Sequence, residues 1–147
     1  MKAEIITIGD EILIGHLIQQ EIAEQNFEIK NLQKIVGPVD SLRFDDKDLD
    51  IGPKTIDLFE QKILTAKTIF WNGPLGLTDD KRFIQGSLAV AKAIIASGAY
   101  SIVGGGVTVL FLGKQGLRDK FNFVSTGGGA MLLFLCGKPL PGIEAME

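Results

Sequence analysis

The chain has 147 residues, of which 46% are hydrophobic and 22% charged, and this favours one globular domain with a sizeable core over disorder or two ordinary domains. The net charge of −3 argues against nucleic acid or an anionic membrane as a partner, and no apolar run approaches the ~20 residues of a membrane helix. The single cysteine, Cys136, excludes an internal disulfide and favours a cytoplasmic location, and one cysteine with one histidine leaves no basis for a zinc site.

The first 36 residues predict a strand, a helix and a second strand. Residues 4–9 are apolar and β-branched and run into Gly9-Asp10-Glu11, which is typical of a buried strand followed by a turn. Apolar residues then recur at helical spacing over residues 12–22, and Asp10 is placed to cap this helix. Residues 27–36 alternate at first, which suits a strand near the edge of a sheet.

From residue 37 onward, a loop precedes a regular alternation of helices and strands. Residues 37–50 are polar and charge-rich, so we interpret them as a solvated connection. Pro53 lies at the first turn of a helix, whose expected core face consists of Ile56, Phe59, Ile63 and Leu64. A further helix is capped by Asp79 or Asp80 and ends at Gly98. Strands are predicted at residues 68–71, 100–103 and 122–124.

This alternation predicts a single α/β domain over residues 1–147, because strands joined by helices of this length pair in parallel. We expect a three-layer αβα sandwich around a doubly wound, mainly parallel, five-stranded sheet of Rossmann-like type. Ligands of such sheets bind at the carboxyl ends of the strands. The functional residues are therefore expected in the turns that follow the strands.

Two of the predicted strands end in three consecutive glycines and then enter a helix-like segment. These glycine turns are Gly104–Gly106 and Gly127–Gly129. A strand that ends in glycines lets the backbone turn tightly and leaves the first N–H groups of the next helix unpaired. Because those N–H groups and the helix dipole favour an anion, the two turns predict a phosphate or nucleotide cleft.

From Asp50-Ile51-Gly52-Pro53-Lys54-Thr55-Ile56 onward, the chain resembles the C-terminal, nucleotide-binding domain of phosphoglycerate kinase. The other motifs that carry this resemblance stand in order along residues 50–147, so the match is specific. They are Thr68-Ile69-Phe70-Trp71-Asn72-Gly73-Pro74-Leu75-Gly76, Ser101-Ile102-Val103-Gly104-Gly105-Gly106, Gly116-Leu117-Arg118-Asp119-Lys120-Phe121, Ser125-Thr126-Gly127-Gly128-Gly129-Ala130 and Gly137-Lys138-Pro139-Leu140-Pro141-Gly142.

The resemblance implies a nucleotide site with several departures from the family pattern. Phosphoglycerate kinases move a phosphoryl group between ATP and 3-phosphoglycerate, which is held on a separate domain. Neither that domain nor the family's Gly-Gly-Ala-Lys motif is found in this sequence. The family aspartate that helps to hold Mg-nucleotide is Val107 here, and an isopropyl group cannot bind Mg²⁺. The implied nucleotide-binding residues are Asn72, Pro74, Asp79 (at the position of the family's ribose-contacting glutamate), Gly104, Gly105, Gly106, Thr108, Gly127, Gly128 and Gly129.

The first 15 residues resemble a different family. Met1-Lys2-Ala3-Glu4-Ile5-Ile6-Thr7-Ile8-Gly9-Asp10-Glu11-Ile12-Leu13-Ile14-Gly15 is similar to the opening of the competence-damage-inducible, molybdopterin-binding-like family. The segment Leu77-Thr78-Asp79-Asp80 is similar to that family's Gly-Pro-Thr-Asp-Asp. Together the two resemblances predict an engineered chimera, in which a grafted β-α-β start (residues 1–36) precedes a part similar to phosphoglycerate kinase (residues 50–147).

Two segments, residues 107–112 and 131–136, are apolar where the phosphoglycerate kinase pattern has polar residues or alanines. A helix that is apolar on every side is buried all round or lies at an interface. The segments therefore predict a repacked core or a homodimer.

These observations lead to three hypotheses. The first is a chimeric Rossmann-like domain without enzyme activity, with no catalytic residue, no metal ligand and no cofactor. The second is weak binding of ATP or ADP at the glycine turns, without Mg²⁺ because of Val107. The third is a pterin-type ligand site contributed by Gly9-Asp10-Glu11.

Overall fold

The computed structural model describes residues 4–5, 37–135 and 138–146. Its strands are Glu4–Ile5 (β1), Ser41–Phe44 (β2), Lys47–Ile51 (β3), Thr68–Asn72 (β4), Tyr100–Gly104 (β5) and Phe123–Val124 (β6). Its helices are Pro53–Ile63 (α1), Gln85–Ser97 (α2), Gly106–Lys114 (α3), Gly128–Leu135 (α4) and Pro141–Glu144 (α5), with 3₁₀ turns at Lys81–Phe83 and Arg118–Lys120. The predicted helix over residues 12–22, the strand over residues 27–36 and Cys136 lie outside the described residues.

The main sheet is parallel and has the strand order β1-β4-β5-β6 in the described part of the chain. All three pairings, β1 with β4, β4 with β5 and β5 with β6, are parallel. The predicted α/β class with a parallel sheet and helices is confirmed. Four strands of this sheet are described, against the five that the sequence predicts, and the strand expected over residues 27–36 falls among the residues outside the description. None of the described helices is long and apolar enough to cross a membrane.

The core lies between the sheet and the helices α1, α2 and α3. The central strand β4 is buried along Ile69, Phe70 and Trp71, which agrees with the continuous apolar run of a strand covered on both faces. Helix α1 contributes Phe59 and Ile63 to the core. Leu64, expected on the same face, is 55% exposed instead, because α1 ends at Ile63 and Leu64 lies in the turn that follows.

Two of the three helix ends that the sequence marks from residue 37 onward are found. The predicted cap of α2 by Asp79 or Asp80 is wrong, because Asp80 accepts from Arg82 N at the 3₁₀ turn instead and α2 begins later, at Gln85, without a side-chain cap. Helix α1 begins at Pro53 and α2 is followed by Gly98, whose φ of 65° is the left-handed value that glycine adopts at a helix end. The first turn of α1 is capped by a distant side chain, since the carboxylate of Asp40 accepts bonds from the Lys54 and Thr55 backbone N–H groups at 3.1 and 2.7 Å.

The predicted loop over residues 37–50 is wrong for most of its length. Residues 41–51 form an antiparallel hairpin of β2 and β3. Its two-residue turn consists of Asp45 and Asp46, with φ of 52° and 59°, which is the backbone geometry that matches the twist of a tight hairpin. Apart from the buried Asp50, the charged side chains of this hairpin are exposed, so they indicate solvent exposure rather than a lack of regular structure.

Candidate functional site

The first glycine turn lies where β5 ends beside β4. Gly104 pairs with Asn72 across the two strands. Gly105 has a φ of 88°, and a Cβ atom there would lie 3.1 Å from Asn72 Oδ1 and 3.5 Å from Thr108 Oγ1. Both the backbone conformation and the close approach therefore require glycine. The first intrahelical bond of α3 runs from Val109 N to Gly105 O, so the N–H groups before it have no acceptor within the helix.

The second glycine turn is in contact with the first. A Cβ atom on Gly128 would lie 2.9 Å from Gly105 Cα and 3.5 Å from Asn72 Oδ1. Helix α4 starts here, with Met131 N donating to Gly127 O at 2.7 Å. The two helix N-termini consequently meet at one place above the sheet, beside Asn72. Gly106, Gly127 and Gly129 are exposed there.

Asn72 lies between the two turns with an unpaired oxygen. Its Oδ1 atom is buried and has no hydrogen-bond partner among the described groups. Buried polar atoms in folded proteins are nearly always hydrogen-bonded, so an orphan atom calls for a physical explanation. The position of Asn72 Oδ1 against Gly105 and Gly128 places this unmet hydrogen-bonding capacity inside the predicted cleft.

Thr108 joins the turn after β4 to the start of α3. Its side chain is fully buried, and Oγ1 accepts a bond from Gly73 N at 3.0 Å. The hydroxyl hydrogen of Thr108 remains available as a donor. Pro74, another predicted site residue, is buried in the same segment.

The segment that follows Asn72, residues 73–77, is held in place by the backbone N–H groups of alternate residues, each of which donates a hydrogen bond. Gly73 N donates to Thr108 Oγ1, Leu75 N donates to Ser87 Oγ at 2.8 Å, and Leu77 N donates to Leu49 O at 2.9 Å. Ser87 is fully buried at the start of α2. The segment is thereby fixed between β3, α2 and α3.

Asp50, at the end of β3, is the buried carboxylate of this region and sequence reasoning gave it no role. Its Oδ1 accepts from Ile51 N at 2.8 Å, and its Oδ2 accepts from Gly86 N at 3.0 Å. Burial raises the pKa of Asp50 although hydrogen bonds from Gly86, Ile51 and Gln85 act against that change. A Cβ atom on Gly76 would lie 2.6 Å from Asp50 Oδ1, so the carboxylate also fills the space that this glycine leaves. The signal in the sequence was an aspartate between Leu49 and Ile51 in an otherwise apolar strand end.

Asp79 lies away from the glycine turns. It is exposed and forms an ion pair of 3.2 Å with Lys114, at the last residue of α3. The length of α3 from Gly106 to Lys114 is about 12 Å at 1.5 Å per residue. The structure therefore brings together Asn72, Pro74, Gly104, Gly105, Thr108 and the second glycine turn, and leaves Asp79 at the other end of α3.

The first turn of α3 contains no acidic residue of its own. Val107 is 49% exposed at that turn. Within the described ranges there is no group of three or more His, Cys, Asp or Glu residues that could hold a metal ion.

An apolar groove lies beside the second glycine turn. It has a volume of about 340 Å³, and residues of β5, β6 and α4 line it together with Leu140. Phe134 of α4 is 68% exposed at this groove. On α3, Phe111 and Leu112 are buried while Val107 and Leu110 are exposed, so the segment over residues 107–112 has one core face and one apolar surface.

Comparison with known proteins identifies one family along most of the chain. The family model described as phosphoglycerate kinase matches residues 10–138. The phosphoglycerate kinase of Solibacter usitatus is 40% identical over 149 residues, covering 99% of this chain and 36% of that protein. The phosphoglycerate kinase of Dictyoglomus turgidum is 48% identical, covering 100% of this chain and 37% of that protein. The structure of phosphoglycerate kinase from Coxiella burnetii is 31% identical with a TM-score of 0.75, covering 97% of this chain and 46% of that one.

These matches correct three expectations. The prediction of an engineered chimera is wrong. One family model aligns from residue 10 to residue 138, and relatives that align with nearly the whole chain are named phosphoglycerate kinase. The likeness of the first 15 residues to the competence-damage-inducible family is too short to stand against those alignments. The expectation of a protein without enzyme activity is also wrong, since the comparisons point to an enzyme family. The chain spans about two fifths or less of the curated relatives it matches.

Proposed function

Because the chain belongs to the phosphoglycerate kinase family, we propose that it forms the nucleotide-side part of a phosphoglycerate kinase and binds the phosphates of ATP or ADP at the two glycine turns. The observation that carries this proposal is the contact of Gly128 with Gly105, which directs two helix N-termini to one place. Unpaired N–H groups and the positive ends of two helix dipoles favour a polyanion there.

The orphan oxygen of Asn72 supports the proposal. Because no described hydrogen bond fixes Oδ1, the contacts of Asn72 are equally compatible with the reversed amide, which presents its NH₂ group to a phosphate oxygen. Thr108, whose side chain is fully buried, supports the site indirectly, because its oxygen keeps Gly73 in place beside the turns. The backbone N–H groups at the start of α3 and α4 supply the remaining donors.

In phosphoryl transfer, residues of this kind position the nucleotide and stabilise charge on the transferring group. The proposed reaction moves a phosphoryl group between the nucleotide and 3-phosphoglycerate. Since the chain covers 36% of the Solibacter relative, we assign the binding of 3-phosphoglycerate to parts of the family that this chain does not span. The proposed location is the cytoplasm.

Magnesium is the metal that such chemistry uses, and the described residues do not fit it as ligands. Val107 has no oxygen to offer, Thr108 Oγ1 is buried and bonded to Gly73 N, and Asp79 is paired with Lys114. We therefore assign no metal ligand and no catalytic residue to these positions, and no step of the reaction rests on a protein-bound ion.

Calorimetric titration of the chain with Mg-ADP tests the binding proposal, and we expect a saturable heat. No heat at millimolar ligand would contradict it. A coupled assay of ATP formation from ADP and 1,3-bisphosphoglycerate then tests the reaction. Binding without ATP formation would restrict the function of this chain to holding the nucleotide.

We also propose a homodimer through the apolar segments 107–112 and 131–136, the second of which is described as far as residue 135. Val107, Leu110 and Phe134 are exposed large apolar side chains of these segments. Exposed apolar groups of this kind mark interaction surfaces when they are contiguous. Light scattering distinguishes the dimer from a monomer of 15.9 kDa. We propose neither nucleic acid nor a membrane as a partner.

A further inference from the structure

Asp50 is a buried carboxylate that no cationic side chain neutralises in the described part of the chain. Its relative exposure is 0%, and its hydrogen-bond partners are backbone N–H groups. Burying a carboxylate without a cation costs free energy that its hydrogen bonds must offset. The backbone groups that donate these bonds, at Ile51, Gly86 and Gln85, are thereby held around Asp50.

A continuous path of contacts leads from Asp50 to the glycine turns. Asp50 Oδ2 accepts from Gly86 N, and Ser87, the next residue, accepts from Leu75 N through its buried Oγ atom. Leu75 lies in the 73–77 segment, whose first residue donates from Gly73 N to Thr108 Oγ1. Asn72 precedes this segment and lies against Gly105.

The residue next to Asp50 strengthens the same path. Leu49 O accepts from Leu77 N, so β3 holds the far end of the 73–77 segment directly. The Asp50 carboxylate also lies where a Cβ atom on Gly76 or Gly86 would have to lie. The end of β3, the start of α2 and the 73–77 segment are therefore built around one carboxylate.

We propose that Asp50 is a positioning residue for the nucleotide site, which holds the start of α2 so that Ser87 keeps the 73–77 segment, and with it Asn72, against the glycine turns. This inference rests on the proposed function for its ligand, the nucleotide. The positioning itself is a property of the fold and can be measured without a ligand.

Asp50→Asn is the variant that tests the proposal with the least change in shape. An asparagine keeps one acceptor but turns an NH₂ group towards one of the two backbone donors, at Ile51 or Gly86. The carboxyl of Asp57, exposed on α1, provides the matched control Asp57→Asn. Ser87→Ala removes the next link of the path and serves as the second variant if Asp50→Asn fails to fold.

The experiment measures Mg-ADP affinity by calorimetry, well below the unfolding midpoint of each variant, and backbone hydrogen exchange of Gly73, Leu75 and Leu77 without ligand. We expect Asp50→Asn and Ser87→Ala to weaken Mg-ADP binding about fivefold and to speed exchange at these three N–H groups, with Asp57→Asn unchanged. A merely structural carboxylate would lower the unfolding midpoint and leave the affinity of the folded protein as it was.

Unchanged affinity and unchanged exchange in either folded variant would overturn the proposal. If the wild-type chain binds no Mg-ADP, the proposed function fails, and the exchange data alone decide whether Asp50 positions the 73–77 segment. Faster exchange spread evenly over the whole chain, rather than concentrated at residues 73–77, would also overturn it.

Discussion

The two glycine turns have the same sequence of three glycines and very different surroundings. The first is surrounded by polar contacts, since Thr108 is buried and bonded to Gly73 and Asn72 packs against Gly105. The second begins α4, which presents Phe134 to solvent beside an apolar groove. The first turn is thus fixed by buried polar contacts, whereas the second is held by its contact with the first and by the bond from Ser125 N to Val103 O just before it. A glycine motif gives a backbone shape, and the neighbouring residues determine how firmly that shape is held.

The largest difference in the loss of stability on mutation is expected between the two helices that follow the turns, α3 and α4. Phe111 of α3 is 1% exposed, so Phe111→Ala should lower the free energy of unfolding by about 4 kcal/mol through lost packing and a cavity. Phe134 of α4 is 68% exposed in the single chain, so Phe134→Ala should change it by less than about 0.5 kcal/mol at protein concentrations too low for the proposed homodimer. Urea denaturation of the two variants measures both values. A large loss for Phe134→Ala that grows with protein concentration would show that a second copy covers α4.

The second difference is expected between two glycines, one from each turn. Gly105→Ala should lower the free energy of unfolding by about 2 kcal/mol, because the residue has positive φ and its side chain would press on Asn72. Gly129 has open space around its Cβ position, so Gly129→Ala should be neutral or raise stability by up to about 1 kcal/mol through helix propensity. Thermal unfolding of both proteins provides the comparison. Equal losses would contradict the view that the first turn is the constrained one.

The sequence was informative where a residue acts through its own backbone or its own neighbours. Pro53 and Gly98 marked the ends of α1 and α2, and the apolar run up to Trp71 marked the central strand. It was uninformative where a side chain acts on a distant segment. Asp50 bonds Gly86, which lies 36 residues away, and Asp79 pairs with Lys114 at a separation of 35, so no local pattern could show either contact. The hairpin of β2 and β3 was not predicted, because its many charged residues were interpreted as a loop and the positive φ of its turn is not visible in the sequence.

The third prediction concerns charge at the first turn only. Val107→Asp places a carboxylate at the exposed start of α3, whose first turn has no acidic residue, and offers an oxygen ligand for Mg²⁺. We expect the affinity for Mg-ADP to rise about tenfold, as for a hydrogen bond or ion contact with a charged group. Titration with Mg-ADP and with ADP in EDTA separates a metal effect from repulsion, which would weaken binding of ADP alone. A matched Gly129→Asp variant at the second turn should show no such gain.

The smallest expected effect is the change with pH in the stability contribution of Asp50, which lies in the region around the first turn. Burial raises the pKa of Asp50 above the ordinary value of 3.8, so the folded state binds a proton more tightly at this position than the unfolded state. The contribution of Asp50 to stability is therefore fully present below pH 3.8 and decreases as the pH rises through the raised pKa. The difference in unfolding free energy between wild type and Asp50→Asn, measured in urea between about pH 3.5 and 7, should accordingly shrink as the pH rises, and other groups cancel in that difference. A difference that grows with pH would mean that the hydrogen bonds from Gly86 and Ile51 outweigh the cost of burying the charge. In that case Asp50 would be ionised at neutral pH at no cost to the fold, and the hydrogen bonds around it would hold the region of the first turn more firmly than the geometry indicates.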